Sequence, residues 1–524
     1  MSFATVFAAQ ATLARVTIIS VEADISRGLH ALSIVGLPDK AVEEAWDRIS
    51  AAIKNSGFIS PKSKNQKVVL SLAPSDIKKS GPIFDVPMAL SYLLAAGEIE
   101  FKPVGKLFLG ELSLSGHVRP IPGVIALARE MATLGFKELY IPIENADEAA
   151  LITNISVYPF SSLGQLINHL DKRRGQKKLQ KSVTTAIKTN DYASDGEIVF
   201  DDIKGNAQAK RMLEIAAAGG HHCALWGPPG TGKTMLARSF CQLLPNLSEE
   251  ESLEVMAIYS INGSRALLKK RPPFRSPHHT ASYGSILGGG SPPKAGELTL
   301  AHRGVLFLDE FPEFNRQVIE SLREPLEDGV VRISRIAGTI TLPAKIILII
   351  AFNPCPCGYF GSTKKDCVCG IQERLRYQRR LSGPIMDRID LWTIVQEIEY
   401  EKLIHKKGDT DHNSKNTAYD MPTIRHRVAE AKKIQKDRLS RIGQRGTSNA
   451  DLTARDVANL SIEPQARELL INLSRKSKLS ARAHHKIMKI AQTITDLAGK
   501  PEIDKEAILE AFQYRPTIFE DSKT

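Results

Sequence analysis

Residues 227–234 read Gly227-Pro228-Pro229-Gly230-Thr231-Gly232-Lys233-Thr234, which satisfies the phosphate-loop pattern at every position. Glycines at these places let the backbone fold around a triphosphate, and amides at the start of a following helix face its negative charge. Lys233 is placed to reach the β- and γ-phosphates, and the Thr234 hydroxyl to hold Mg²⁺. Farther along, the apolar run Gly304-Val305-Leu306-Phe307-Leu308 ends in Asp309-Glu310. Two carboxylates at the end of a buried strand divide the work of phosphoryl transfer. Asp309 would bind the magnesium through water, and Glu310 would polarise the attacking water. The chemistry expected is ATP hydrolysis with Mg²⁺. A separate cluster, Cys355-Pro356-Cys357 and Cys367-Val368-Cys369, puts four thiols within fifteen residues. Four thiolates can close a tetrahedral Zn²⁺ site. Cys-x-Cys pairs are less typical of zinc than Cys-x-x-Cys, so reduced loop cysteines without metal stand as the alternative.

The loop and the carboxylates need strands and helices to hold them. His221 to Trp226 reads as a short buried strand, and Met235 to Leu244 as a helix stopped by Pro245. A helix is expected from Ala207 to Ala218, and a buried strand from Lys345 to Asn353. Val330 to Pro343 alternates on both sides of Ala337-Gly338, as a hairpin does. Beyond 400 the pattern is helical, with Ile424 to Ile442 carrying a dense positive face. The N-terminal region mixes strands (Val16 to Ala23, Leu29 to Gly36, Lys67 to Leu72) with a helix from Ala41 to Ser56, an α+β arrangement. The organisation expected is a multidomain α/β chain: an α+β domain over 1–170, a basic linker over 171–198, a phosphate-loop core over 199–400 and a helical domain over 401–524.

The chain has 524 residues, a net charge of +12 and six cysteines. The charge favours a polyanionic partner, nucleic acid first. No apolar run reaches the roughly eighteen residues of a membrane span, and the N-terminus lacks a basic region ahead of an apolar core. The chain is therefore expected to be cytoplasmic, without a membrane partner. Adjacent histidines such as His278-His279 rarely chelate one ion.

Several stretches resemble known families. Lys79 to Leu90 and Gly110 to Gly123 are similar to the proteolytic domain of Lon-type proteases, within a fold shared with a ribosomal protein. Ile83 stands where that family carries its serine, and Val124 to Ala128 include no lysine. A Ser–Lys mechanism needs a hydroxyl and an amine; the domain is expected to be a non-proteolytic scaffold.

End to end the chain closely resembles the YifB/ComM family of magnesium-chelatase-like AAA+ proteins. The resemblance rests on Ser33 to Asp39, Gly227 to Thr234, Phe274 to Ser282, Gly304 to Phe314, Asn353 to Gly358, Ser382 to Asp390 and Leu479 to Arg482. It implies an AAA+ core of the helix-two-insert type with a helical lid. Ile203 and Gly205 would cover adenine, and Asn353 would help orient the lytic water. Arg388 would be a finger serving the neighbouring subunit's γ-phosphate, with a local salt bridge as the alternative. Arg482 would be the second sensor. Hairpins in the pore would grip nucleic acid through Arg332 and Arg335, with Arg275 and Lys294 as further candidates. The resemblance implies a hexameric DNA motor that extends heteroduplex by branch migration in natural transformation, acting on joints made by recombinase filaments. Two alternatives stand: a magnesium-chelatase-like motor subunit and a protein-remodelling ring. Gln492 departs from the family pattern, which has arginine there.

Overall fold

The computed structural model describes residues 2–13, 15–174, 178–182, 200–264, 270–290, 293–335, 338–381, 383–397, 420–443 and 446–516. Most of the expected linker and the polar stretch 406–419 lie outside these residues. The chain forms two compact units. One comprises 1–190 and 252–269, the other 191–251 and 270–524.

The first unit is built on a four-stranded sheet in the order Phe3–Ala11, Val16–Arg27, Gln66–Ala73, Ala31–Val35. The first three strands are antiparallel and the last pairs in parallel. A second, parallel sheet joins Lys106–Phe108, Glu138–Pro142 and Ser156–Phe160. The helix Asp85–Ala95 is almost wholly buried, because both its faces are apolar. Its Asp85 accepts two hydrogen bonds from the Arg48 guanidinium, at 2.9 and 3.0 Å. Burial pushes the Asp85 carboxyl up to about 6 although Arg48 opposes it. The helix expected over Ala41 to Ser56 is two helices, Lys40–Glu43 and Ala45–Asn55. Residues 252–264 fall within the core expected over 199–400, yet they pack in this unit. Ser260 accepts a hydrogen bond from the Gly123 amide at 3.1 Å, and Leu253 packs on the unit's core.

The second unit is built on a five-stranded sheet in the order Phe274–Arg275, Gly304–Leu308, Ile346–Phe352, Cys223–Trp226, Leu391–Ile394. Every neighbouring pair is parallel. The two central runs, Gly304–Leu308 and Ile346–Phe352, are apolar almost throughout, as strands covered on both faces must be. Their C-terminal ends bring Asp309, Asn353 and the phosphate loop to one edge, where ligands sit in such sheets. Helices Met421–Arg441, Pro464–Lys476, Ala481–Leu497 and Lys505–Gln513 share one hydrophobic core with the sheet and with helix Ala207–Gly219.

The dense positive face expected on Met421–Arg441 is divided. Arg425, Lys433, Lys436 and Arg441 are exposed, whereas Arg427 donates to buried Glu214 and Arg438 to buried Asp496. Gln492 is buried too and donates to Asp496 at 2.9 Å, so that position faces the interior. No helix among the described residues is long and apolar enough to cross a membrane.

Candidate nucleotide site

The phosphate loop leaves the strand Cys223–Trp226 and ends where helix Lys233–Phe240 begins. Gly227 is required by close approach: a Cβ there would lie 2.3 Å from the Val395 carbonyl oxygen. Lys233 is buried, and its ammonium donates to the carbonyls of Gly227 and Pro228, both at 2.8 Å, and to Asn353 Oδ1 at 3.1 Å. Burial lowers its pKa to about 8, against the pull of the Asp309 carboxylate. The Thr234 hydroxyl donates to Asp309 Oδ2 at 2.7 Å. Thr231 caps the turn by donating to the Pro228 carbonyl at 3.0 Å. Three segments far apart in sequence thus converge: the loop with Pro228, Pro229, Gly230 and Gly232, the strand end with Asp309, and the strand end with Asn353.

Glu310 follows Asp309 with φ +51° and ψ 42°, the left-handed region. Such a conformation costs a side-chain-bearing residue about 1 kcal/mol or more and is found at functional sites. Its carboxylate meets the imidazole of His279, Nδ1 to Oε2 being 3.1 Å. The His278-His279 pair therefore has one member on a candidate catalytic carboxylate. Nothing in the sequence spacing ties positions 279 and 310 together.

Arg388 and Arg482 lie apart from this cluster. No hydrogen bond or ion pair joins either to residues 227–234 among the described residues. Both instead meet one carboxylate, Glu327: Arg388 through Nη2, and Arg482 through Nη2 at 3.1 Å. Ile203 is buried in the unit's core, beside Phe200. Gly205 adopts φ +64° just before helix Ala207–Gly219.

Cys355, Cys357, Cys367 and Cys369 converge, with all four sulfurs within 4.8 Å of one another. The Sγ separations of 3.4, 3.6 and 3.6 Å among Cys355, Cys357 and Cys367 are too long for disulfides. They are close to the roughly 3.8 Å expected between sulfurs about 2.3 Å from a tetrahedral zinc. Backbone amides of Phe360 and Cys357 point at Cys355 Sγ and Cys369 Sγ, each at 3.3 Å, and pull toward the thiolate, although burial raises the pKa of both thiols. The residues fit a structural Zn²⁺. The cluster also abuts the phosphate loop: a Cβ on Gly358 (φ +87°) would lie 2.9 Å from Pro229 Cδ.

The nucleic-acid candidates are unevenly placed. Val330–Arg335 and Gly338–Pro343 form the expected antiparallel hairpin. Arg332 is bound back to Glu324 and Asp328 on the helix Arg323–Asp328. The side chain of Arg335 lies outside the described residues. Arg275 is on the edge strand of the sheet and makes two hydrogen bonds to Glu297, at 2.6 and 2.8 Å. Lys294 is exposed in the two-stranded turn Gly288–Gly289 with Lys294–Ala295, and no carboxylate pairs with it among the described residues. In the other unit, Ile83 is buried, as are Val124, Ile125, Leu127 and Ala128.

Family models match along the chain: "Magnesium chelatase, subunit ChlI" over residues 199–403, "Subunit ChlI of Mg-chelatase" over 21–145, and "Magnesium chelatase, subunit ChlI C-terminal" over 419–515. Competence protein ComM of Haemophilus influenzae is 36% identical, over 99% of this chain and 98% of its own length. Protein YifB of Escherichia coli K12 is 37% identical, over 95% of this chain and 94% of its own. The DNA replication licensing factor mcm-6 of Caenorhabditis briggsae is 26% identical, over 61% of this chain and 38% of its own.

Proposed function

The chain belongs to the YifB/ComM family of magnesium-chelatase-like AAA+ proteins, and from that premise we propose that it is an ATP-hydrolysing motor that works on DNA as a hexameric ring. Its task is branch migration that extends heteroduplex during natural transformation, in the cytoplasm, on joints made by recombinase filaments. The observation that carries the ATPase reading is the convergence of Lys233 on Asn353 and of Thr234 on Asp309. Thr234 and Asp309 would hold Mg²⁺, which supplies charge neutralisation at the phosphates. Lys233 binds the β- and γ-phosphates, Glu310 takes the proton of the attacking water, and Asn353 orients that water. Arg388 serves the γ-phosphate of a neighbouring subunit, and Arg482, at the start of helix Ala481–Leu497, is the second sensor that contacts γ-phosphate. Ile203 and Gly205 flank the adenine.

In this reading 1–170 is a Lon-like scaffold without peptidase activity, 171–198 a tether, 199–400 the ATPase core and 401–524 its lid. The four cysteines hold one structural Zn²⁺. The net charge of +12, exposed Lys294 and the hairpin bearing Arg332 and Arg335 support DNA as the track. The similarity to a DNA replication licensing factor leans the same way.

A second reading, a chelatase-like motor acting on a protein partner, draws on a specific observation. Arg275 and Arg332 are neutralised within the chain, so they face DNA only after giving up Glu297, Glu324 and Asp328. One experiment separates the two: ATP hydrolysis with no DNA and with single-stranded, duplex and four-way-junction DNA, using Glu310→Gln as the blank. Stimulation by DNA that vanishes in the variant is expected. Robust hydrolysis indifferent to every DNA would sink the DNA motor.

A further inference from the structure

We propose that Glu327 is a latch that holds Arg388 and Arg482 together and away from phosphate, so that its release switches hydrolysis on. The inference rests on the reading of the chain as an ATPase ring and adds how that ring is held in check. Both arginines reach the same oxygen, Glu327 Oε1, although Arg482 is 155 residues farther along the chain. Arg388 is the more confined, its side chain only 9% exposed. Its Nη1 donates to the Pro384 carbonyl, its Nη2 is on Glu327, and its buried Nε has no partner among the described residues. Two of its five N–H groups are thus bound within the chain and the Nε–H is buried, so the guanidinium is held inside its own chain and not presented to a nucleotide on another subunit.

Carboxylate and phosphate oxygens offer a guanidinium the same charged acceptor. A γ-phosphate and Glu327 therefore compete for the same N–H groups. With Glu327 in place the two cations share one negative charge, which offsets part of their mutual repulsion and holds them where they stand. Without its charge they repel each other, and each gains by turning to an outside anion. The negative charge at 327 thus sets the balance between the parked and the phosphate-facing arrangement.

The latch sits beside the hairpin. Glu327 lies on the six-residue helix Arg323–Asp328, whose Glu324 and Asp328 bind hairpin Arg332. Residues 324 and 328 share a face of that helix, one turn apart, while 327 projects from a neighbouring face. A polyanion that draws Arg332 off this helix disturbs the element that carries Glu327. The hairpin and the two arginines are joined through one short acidic helix.

The test uses the full-length chain and no DNA. Glu327 is about half exposed, so Glu327→Gln removes a charge and little packing. Steady-state hydrolysis is compared for the unaltered chain, Glu327→Gln, Glu327→Asp and the double variant Glu327→Gln with Arg388→Ala. The latch predicts at least a three-fold rise in kcat for Glu327→Gln and an intermediate rate for Glu327→Asp, which keeps the charge but shortens the reach. The double variant is expected to fall below the unaltered chain, because the gain runs through Arg388. A Glu327→Gln rate at or below that of the unaltered chain, with its melting temperature unchanged, overturns the proposal. So does a gain that survives Arg388→Ala. Hydrolysis by the unaltered chain that ignores DNA would refute the DNA motor and leave this comparison readable.

Discussion

His279 Nδ1 stands 3.1 Å from the carboxylate of Glu310, the residue proposed to activate water. Glu310 is otherwise 58% exposed, so the imidazole limits where that carboxylate points. His279→Ala is expected to lower kcat about ten-fold, a part of the hundred-fold or more that a positioned base contributes. The KM for ATP should stay within about two-fold, because His279 bonds to none of residues 227–234. Steady-state kinetics over a range of ATP concentrations decides this. A rise in KM with kcat intact would mean that His279 acts on binding instead.

Lys233 makes nucleotide binding sensitive to alkaline pH. Burial lowers its pKa to about 8, while the unfolded value is near 10.5. A lysine depressed in the folded state binds fewer protons than in the unfolded chain between those two values. Its contribution to stability therefore rises with pH from about 8 to 10.5, as the buried charge is relieved. ATP binding works the other way, since the phosphates restore the charge on Lys233. At pH 8.5 binding should take up a proton, and affinity should fall toward ten-fold per pH unit above that. Calorimetry in two buffers of different ionisation enthalpy measures the uptake. Proton release, or none, would contradict the assignment.

The cysteine cluster predicts one zinc per chain. Elemental analysis of the purified protein should find it, and Cys355→Ser or Cys367→Ser should lose it. Removing the metal would leave four clustered thiols held only by their contacts with one another and with backbone amides. A loss of a few kcal/mol would lower the melting temperature by roughly 5 °C. Because Gly358 packs so near Pro229 that a Cβ would not fit between them, ATP affinity should fall as well. A chain free of metal that binds ATP normally would remove zinc from the account.

The positive helix Met421–Arg441 offers a contrast within one element. Arg438 donates to Asp496, whose carboxylate is 1% exposed and also accepts from Asn449 at 2.8 Å and from Gln492. Arg438→Ala leaves that carboxylate buried without its cation and should cost about 3–5 kcal/mol. Lys436→Ala, on the exposed face, should change stability by less than about 0.5 kcal/mol. Chemical denaturation of the two variants measures both.

Much of the nucleotide site was legible in the chain because it is written in contiguous residues. A phosphate loop needs small residues, a lysine and a hydroxyl at fixed offsets, so 227–234 can be read without any partner. The apolar runs before Asp309 and Asn353 identify themselves as strands for a similar reason, since burial on both faces leaves no room for polar alternation. The hairpin over Val330 to Pro343 follows from local alternation, but the observed register pairs Arg335 with Gly338, so Gly338 belongs to the second strand and not to the turn expected there.

What tertiary structure alone decided is which charge answers which. Arg275, Arg332 and Arg438 look alike in a sequence, as basic residues in a basic protein. The fold gives each a carboxylate: Glu297, Glu324 with Asp328, and Asp496. It also brings His279 to Glu310, and Arg388 and Arg482 to Glu327, across separations of 31, 61 and 155 residues. Secondary structure follows from local periodicity and turn chemistry, which a short window contains. Ion pairs follow from distance in space, because the interaction falls off over a few ångströms and is set by burial. No local pattern carries that information until the sheet and helices have closed around it.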